Sequence, residues 1–354
     1  MEGFDTDRRP VVLVWELTQA CDLECDHCRA DAKPERQPGE LTTAEGEALL
    51  DRAADFGEGQ IVVFSGGDPA KRPDLVDLVD YGTEAGLTIT LTPSGTDELT
   101  RGTIDALDDA GLRRLALSID GGSPATHDAF RGESGSFAAT VRAAEAARDR
   151  GVPLQVNTTV CASTVDELPA IRDLVADLEA VLWSVFFLVP VGRGRVLEPI
   201  DPDRAEDVMG WLAEVADESS FGLKTTEGPH YRRVRRQRAG EDADANRRAG
   251  VVAGDGFAFV SHVGEVYPSG FLPKSAGNVR EDDVVDLYRN APLFEALRDR
   301  DRLTGKCGAC PYRRVCGGSR SRAYADTGDP LESDPLCPYV PPGYDGPLPD
   351  RQLG

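Results

Sequence analysis

Residues 11–30 read VVLVWELTQACDLECDHCRA, an apolar, β-branched run that gives way at once to three cysteines spaced Cys-x3-Cys-x2-Cys. The run predicts a strand, and Cys21, Cys25 and Cys28 then share one short loop at its C-terminal end, where their thiolates can converge. Two thiols would make a disulfide and four would close a zinc site, whereas three leave a position open. A zinc ion completed by His27, or three unrelated buried thiols, are the simpler readings of the loop taken alone.

From that strand outward the chain repeats one pattern. LTTAEGEALLDRAADFG (41–57) opens with a Thr cap and an acidic first turn, then shows helical periodicity. QIVVFSGG (60–67) is a strand ending in glycines, PDLVDLVDYGTEAG (73–86) a helix and LTITLTPSG (87–95) a strand. DELTRGTIDALDDAG (97–111), RRLALSIDGG (113–122), a helix over 136–150, VPLQVNTTV (152–160), a helix near 166–179 and LWSVFFLVP (182–190) complete six β/α units. Such alternation means parallel strands joined by right-handed crossovers. Six units fall short of the eight in a closed barrel, so the expected fold is α/β, a partial (β/α)6 TIM-like barrel. Chemistry in such folds sits at the C-terminal ends of the strands, and every candidate motif falls there.

The expected organisation is a barrel core over 1–200, a helical, Arg-rich connecting segment over 201–256, and a small irregular Cys-rich domain over 257–354. The last begins with GFAFVSHVGEVYPSG (256–270), read as a hairpin turning at Gly264, and ends in Pro- and Gly-rich chain that cannot build a good core unaided. A net charge of −23 with acids spread over every amphipathic segment fits a folded protein in a salt-rich cytoplasm, and it disfavours nucleic acid as a partner. No apolar run reaches the ~18 residues of a membrane span, and MEGFDTDRRPVV lacks the features of a signal peptide, so a cytoplasmic location is expected.

The three-cysteine loop after the first strand of a six-unit β/α chain resembles the radical S-adenosylmethionine (radical SAM) superfamily. SGGDP (65–69) is similar to that family's Gly-Gly-Glu-Pro motif, with Asp68 where Glu is usual. The resemblance implies a [4Fe–4S] cluster on Cys21, Cys25 and Cys28 whose open iron chelates S-adenosylmethionine and cleaves it to a 5′-deoxyadenosyl radical. It implies cofactor contacts from Gly66, Gly67 and Asp68, from Ser94 in TPSG, from Ser118 and Asp120 in LALSIDGG, and from Asn157 and Thr159 in VNTTV. Taken alone, GGDP is a tight turn and the strand polar residues are structural.

Cys307, Cys310, Cys316 and Cys337 spell Cys-x2-Cys-x5-Cys-x20-Cys, which admits either a closed zinc site or a fully ligated [4Fe–4S] cluster. The tail resembles the SPASM or twitch extension, which implies an auxiliary [4Fe–4S] cluster. It departs from the fuller pattern at Ser269, where a further cysteine would stand, so one auxiliary cluster is expected and not two. Cys161 reads as a buried apolar thiol.

The cysteine spacings and the CxHCRA-like loop resemble the heme-biosynthesis branch: the alternative heme pathway decarboxylase and deacetylase and the NirJ-type heme d1 enzymes. That resemblance implies a tetrapyrrole substrate, an electron donor such as ferredoxin or flavodoxin, and decarboxylation of iron-coproporphyrin propionates or removal of acetate side chains. HYRRVRRQR (230–238) concentrates positive charge, making Tyr231, Arg232 and Arg233 candidates for propionates and His230 or His262 for a porphyrin iron. A solvated basic helix neutralising nearby acids explains the same segment. Two other functions stay open: a peptide maturase, disfavoured because only about ten residues precede the first strand, and a non-catalytic iron–sulfur or zinc scaffold or electron carrier, disfavoured by the intact three-cysteine loop.

Overall fold

The structure is a computed structural model and describes residues 4–240 and 251–350; residues 241–250 of the Gly- and Asp-rich stretch lie outside the described residues. Strands β1 (Val12–Thr18), β2 (Ile61–Gly66), β3 (Thr88–Leu91), β4 (Arg114–Ser118), β5 (Leu154–Val160) and β6 (Leu182–Phe187) pair in chain order, all parallel. Helices link them, among them Thr43–Ala54, Leu75–Glu84, Arg101–Asp109, Ser136–Arg150 and Leu168–Asp177. The first helix is set by a capping box, in which Thr42 and Glu45 satisfy each other's backbone N–H.

Strand alternation divides inside from outside. Leu13, Trp15 and Leu17 of β1, Leu115 and Leu117 of β4, and Trp183, Val185 and Phe187 of β6 belong to the core shared with the helices. The intervening residues turn the other way, into the lumen of the partial barrel. The core between strands and helices is almost wholly aliphatic and aromatic, while polar side chains accumulate inside.

The sheet extends past six strands at both edges, in the order β10-β9-β8-β1-β2-β3-β4-β5-β6-β7. After the helix Pro202–Glu218, β7 (Gly222–Thr226) adds a seventh parallel strand on β6. Its sequence, GLKTT, is too short and too polar to signal a strand. On the opposite edge the hairpin forms as expected, with Gly264 in the left-handed region at φ +89°. Its first strand, β8 (Phe257–Val260), pairs parallel with β1, and β9 (Glu265–Tyr267) and β10 (Gly277–Asn278) follow antiparallel. The Cys-rich tail is therefore continuous with the barrel sheet.

The tail compensates for its thin apolar core with buried arginines. Arg320, wholly buried, donates to the carbonyls of Pro330 and Glu332 at 2.8 and 2.7 Å. Arg322 pairs with Asp334 at 3.0 Å and donates to the carbonyls of Phe187 and Leu188 at 3.2 Å, tying the tail to the end of β6. Among the described residues, no helix is long and apolar enough to cross a membrane.

Packing under β1 is tight enough to test. A Cβ at Gly46 would stand 2.4 Å from Cη2 of Trp15, which is fully buried. Gly46→Ala is therefore expected to destabilise the barrel by about 1–3 kcal/mol despite the better helix propensity of alanine. Urea unfolding followed by circular dichroism measures this; an unchanged or raised midpoint would refute the packing.

Candidate functional site

The three-cysteine loop is held from both ends. Cys21 N–H donates to the Lys33 carbonyl at 2.7 Å and Lys33 N–H donates to the Gln19 carbonyl at 3.0 Å, closing the loop on itself. From across the rim, Arg193 donates backbone N–H to the Cys28 carbonyl and Nε to the Cys25 carbonyl, each at 3.0 Å. The SGGDP turn presses against the loop's root: Gly67 N–H donates to the Thr18 carbonyl at 2.8 Å and Asp68 N–H to the Ala20 carbonyl at 2.6 Å. A Cβ on Gly66 would lie 2.4 Å from the Thr18 carbonyl oxygen, and one on Gly67 2.4 Å from that of Ala20. The two glycines thus serve approach of backbone to backbone, a need the sequence reading assigned to the cofactor.

Cys21, Cys25 and Cys28 meet in one small apolar cluster with Leu23 and Ala32. Each sulfur faces a polar hydrogen. Leu23 N–H lies 3.4 Å from Cys21 Sγ, Ala32 N–H 3.4 Å from Cys28 Sγ, and the Ser94 hydroxyl 3.5 Å from Cys21 Sγ. Arg131 directs Nη1 at Cys25 Sγ from 3.5 Å. Burial pushes the Cys21 thiol up to about 11 and that of Cys25 upward as well. Buried sulfurs that face donors but resist ionisation suit a metal centre, which deprotonates its thiol ligands outright.

Two acids expected at the cofactor are occupied by the protein. Asp68 is fully buried and accepts from Ala70 N–H at 3.1 Å, Ser94 N–H at 3.2 Å and the Thr96 hydroxyl at 2.7 Å, so it braces the β3 loop against the cysteines. Asp120 accepts from Thr159 N–H at 2.6 Å and pairs with Arg131 at 3.1 Å. Desolvation opposes its charge, but the Arg131 guanidinium prevails and holds its carboxyl below the usual range. Asp120 thereby aims Arg131 at Cys25. Ser118 and Thr159 are half-buried on the lumen side, while Asn157 is buried and accepts from Gln155 at 2.7 Å. Arg131, Arg193 and Thr96 were missed in the sequence, which offers no motif for residues that act through a neighbour's backbone or charge.

The second thiol set closes around one cavity lined by Cys307, Cys310, Cys316 and Cys337. Gly318 N–H faces Cys316 Sγ and Asp334 N–H faces Cys307 Sγ, both at 3.4 Å, and Arg320 Nη2 lies 3.6 Å from Cys307 Sγ. Burial raises Cys337 to about 11 and Cys316 further. Among the described residues, no three or more His, Cys, Asp or Glu side chains are grouped so as to hold a metal ion. Cys161 is buried at the end of β5 in an apolar cluster with Phe130 and Leu188. Ser269 joins Ser319 and Ser321 in donating to the Glu227 carboxylate at 3.3, 2.5 and 2.8 Å. A serine–carboxylate cluster thus occupies the position where the fuller pattern has its extra cysteine.

The basic segment 230–238 is buried at its start and exposed at Gln237 and Arg238, and its arginines find partners within the fold. Arg233 makes a double contact with Glu206 and points Nη2 at Cys337 Sγ from 3.8 Å; Arg235 pairs with Asp217 and Arg238 with Glu214. Arg232 donates to the Val251 carbonyl at 2.7 Å. His230 is fully buried with neither ring nitrogen hydrogen-bonded, and Tyr231 packs half-buried on the core. The helix therefore neutralises the acidic helix Pro202–Glu218 and supports the four-cysteine set. His262 donates Nδ1–H to the Glu16 carboxylate at 2.6 Å, and Glu16 also holds Arg29, the residue after Cys28, at 2.5 Å.

The Radical SAM superfamily model matches residues 15–175. The AdoMet-dependent heme synthase of Methanosarcina barkeri is 42% identical over 342 residues, covering 94% of this chain and 97% of the relative. The Fe-coproporphyrin III synthase of the same organism is 31% identical, covering 94% of this chain and 89% of its own. Among solved structures, Streptococcus suis SuiB bound to S-adenosylmethionine superposes with a TM-score of 0.76 at 18% identity, covering 94% of this chain and 78% of that one, a likeness of fold.

Removing Arg131 strands Asp120, and removing Asp120 strands Arg131, both deep in the rim. Each of Arg131→Met and Asp120→Leu alone is expected to cost about 3–5 kcal/mol, and the pair together distinctly less than their sum. Additive losses in denaturant unfolding would show that the two are not coupled. Acid supplies a second test. Burial lowers His127 to about 4 and His230 to about 3 from an ordinary value of 6.5. The unfolded chain therefore takes up protons first, and stability should fall as pH drops from 7 to 5, by up to ~2 kcal/mol per histidine. Unfolding midpoints that stay level across that range would contradict the burial of both rings.

Proposed function

The chain belongs to the radical SAM superfamily, and from that premise we propose that it acts in heme biosynthesis, converting propionate side chains of an iron-coproporphyrin to vinyl groups. The observation that carries this reading is the 42% identity to an AdoMet-dependent heme synthase along 94% of this chain and 97% of that one. Likeness to the PqqA peptide cyclase of Gluconobacter oxydans is lower, at 31% identity, which ranks peptide maturation second.

Cys21, Cys25 and Cys28 would hold a [4Fe–4S] cluster, which with S-adenosylmethionine supplies hydrogen-abstracting, one-electron chemistry. Leu23 and Ala32 N–H and Arg131 donate toward its sulfur ligands, while Arg193 and the Gly66–Gly67 turn keep the loop in register. Each conversion of –CH2CH2COO⁻ to –CH=CH2 releases carbon dioxide, one hydrogen atom and one electron. An auxiliary [4Fe–4S] cluster on Cys307, Cys310, Cys316 and Cys337 would supply an acceptor for that electron. A small reductant of the ferredoxin or flavodoxin class would supply the electron that starts turnover. Removal of acetate side chains, the deacetylase variant, uses the same machinery on a different arm of the macrocycle.

Anaerobic reconstitution with iron and sulfide, followed by S-adenosylmethionine, dithionite and iron-coproporphyrin III, tests the reading. The expected product has lost one or two formic-acid equivalents by mass, with 5′-deoxyadenosine formed alongside. Deoxyadenosine with an unchanged porphyrin would point to the peptide or another substrate, and two zinc ions without sulfide would overturn the account. Cys28→Ala is expected to abolish S-adenosylmethionine cleavage. Cys310→Ala should impair turnover while leaving some uncoupled cleavage.

A further inference from the structure

Two cations stand in the barrel lumen without an acidic partner. Lys224 lies on β7, whose preceding residue Leu223 packs outward on the core, so its side chain enters the lumen beside Ser184 and Asn157 in the same register row. Arg114 lies on β4, turned inward opposite the outward Leu115. Among the described residues, neither side chain has a hydrogen bond or ion pair, and Arg114 Nε is buried without a partner. In a chain with 62 acidic residues against 39 basic ones, whose other arginines repeatedly find carboxylates, two unpaired cations facing the same side of the sheet need a reason.

Lys224 keeps exposed surface while protein around it desolvates its ammonium, as for a side chain directed into an open lumen. Desolvation by those walls and, secondarily, repulsion from Arg114 bring its ammonium down to about 8. An anion placed between the two would relieve both penalties. The same lumen carries flat apolar surface. Phe186, two residues beyond Ser184 on β6, faces Phe271 of the loop after β9 with ring centroids 6.4 Å apart. Both rings are half-buried, so their faces are available.

We propose that Lys224 and Arg114 are the residues that recognise the substrate, pairing the carboxylate arms of a tetrapyrrole in the lumen whose ring lies against Phe186 and Phe271. This rests on the heme-biosynthesis reading and adds the residues that recognise the substrate. It reassigns that role from the 230–238 helix, whose arginines are already engaged. A protein of net charge −23 repels an anionic macrocycle over most of its surface, so recognition requires cations concentrated inside. The carboxylate of S-adenosylmethionine is the other anion the lumen must admit, and the experiment separates the two.

Reconstituted full-length protein is titrated with iron-coproporphyrin III by difference absorbance, and with S-adenosylmethionine by calorimetry. Lys224→Gln and Arg114→Gln are each expected to weaken porphyrin binding about tenfold or more. Lys224→Arg should restore most of the loss, and binding of S-adenosylmethionine should be unchanged in all three. The tetramethyl ester of the porphyrin, lacking carboxylate charge, should bind wild type and variants alike. Cluster absorbance and uncoupled 5′-deoxyadenosine formation report that each variant is folded. Equal porphyrin affinity in wild type and variants would overturn the proposal, as would a loss confined to S-adenosylmethionine. Wild-type protein that does not bind the porphyrin at all would instead overturn the heme-biosynthesis reading beneath it.

Discussion

The rim depends on the contact between two backbones. The end of β1 runs into the cysteine loop, and the end of β2 turns back on it so closely that a single methyl group on Gly66 or Gly67 would meet a carbonyl oxygen at 2.4 Å. Carbonyls of Thr18 and Ala20 accept from Gly67 and Asp68 across that contact. Everything else at the site takes its position from it. Asp68 can reach Ser94 and Thr96 only because its own backbone is fixed there. Cys21 meets the Ser94 hydroxyl only because the β3 loop has been drawn in by the same carboxylate. A loop of three thiols has little apolar surface to hold it, and loop residues without packing are free to fluctuate. Hydrogen bonds between backbones at close range do the holding instead.

Charge is distributed by the same economy of position. The surface is acidic, and most arginines answer nearby carboxylates at exposed sites, where each pair contributes little. The buried arginines differ. Arg131 meets Asp120 and a cysteine sulfur, Arg322 meets Asp334 and three carbonyls, and Arg320 meets carbonyls and Cys307. Guanidinium suits these places because its fork of five donors can satisfy several acceptors at once while keeping its charge. Where apolar core is scarce, as in the tail, this polar scaffold takes over the ordering of the chain.

Much of this was legible in the sequence. Six strands, their helices, the hairpin at Gly264 and both cysteine sets follow from periodicity and spacing, because strand alternation and helix caps are local properties. What escaped was long-range. GLKTT became a strand only because β6 offered an open edge for Lys224's neighbours to pair with, and its polar residues face a lumen no local window can anticipate. The Arg-rich helix looked like an anion site because its partners, Glu206, Glu214 and Asp217, lie a whole strand away in the chain. Asp120 read as a cofactor contact, and its pairing with Arg131 escaped, since spacing cannot tell which neighbours a carboxylate meets inside its own fold.

The two thiol sets are built on different physical terms. At the three-cysteine loop, two of the four donors facing sulfur are backbone N–H groups and one is a guanidinium whose charge is matched by Asp120. At the four-cysteine cavity the guanidinium facing Cys307 makes no hydrogen bond to a carboxylate among the described residues, and Arg233 and Lys306 line the same cavity. Arg233 is nonetheless matched by Glu206, and Arg322 by the buried Asp334 beside the same thiols. Charge at both sets is thus fixed by guanidinium–carboxylate pairs supplied from distant elements, so the surroundings of the sulfurs are set by arginines as much as by the cysteine spacing.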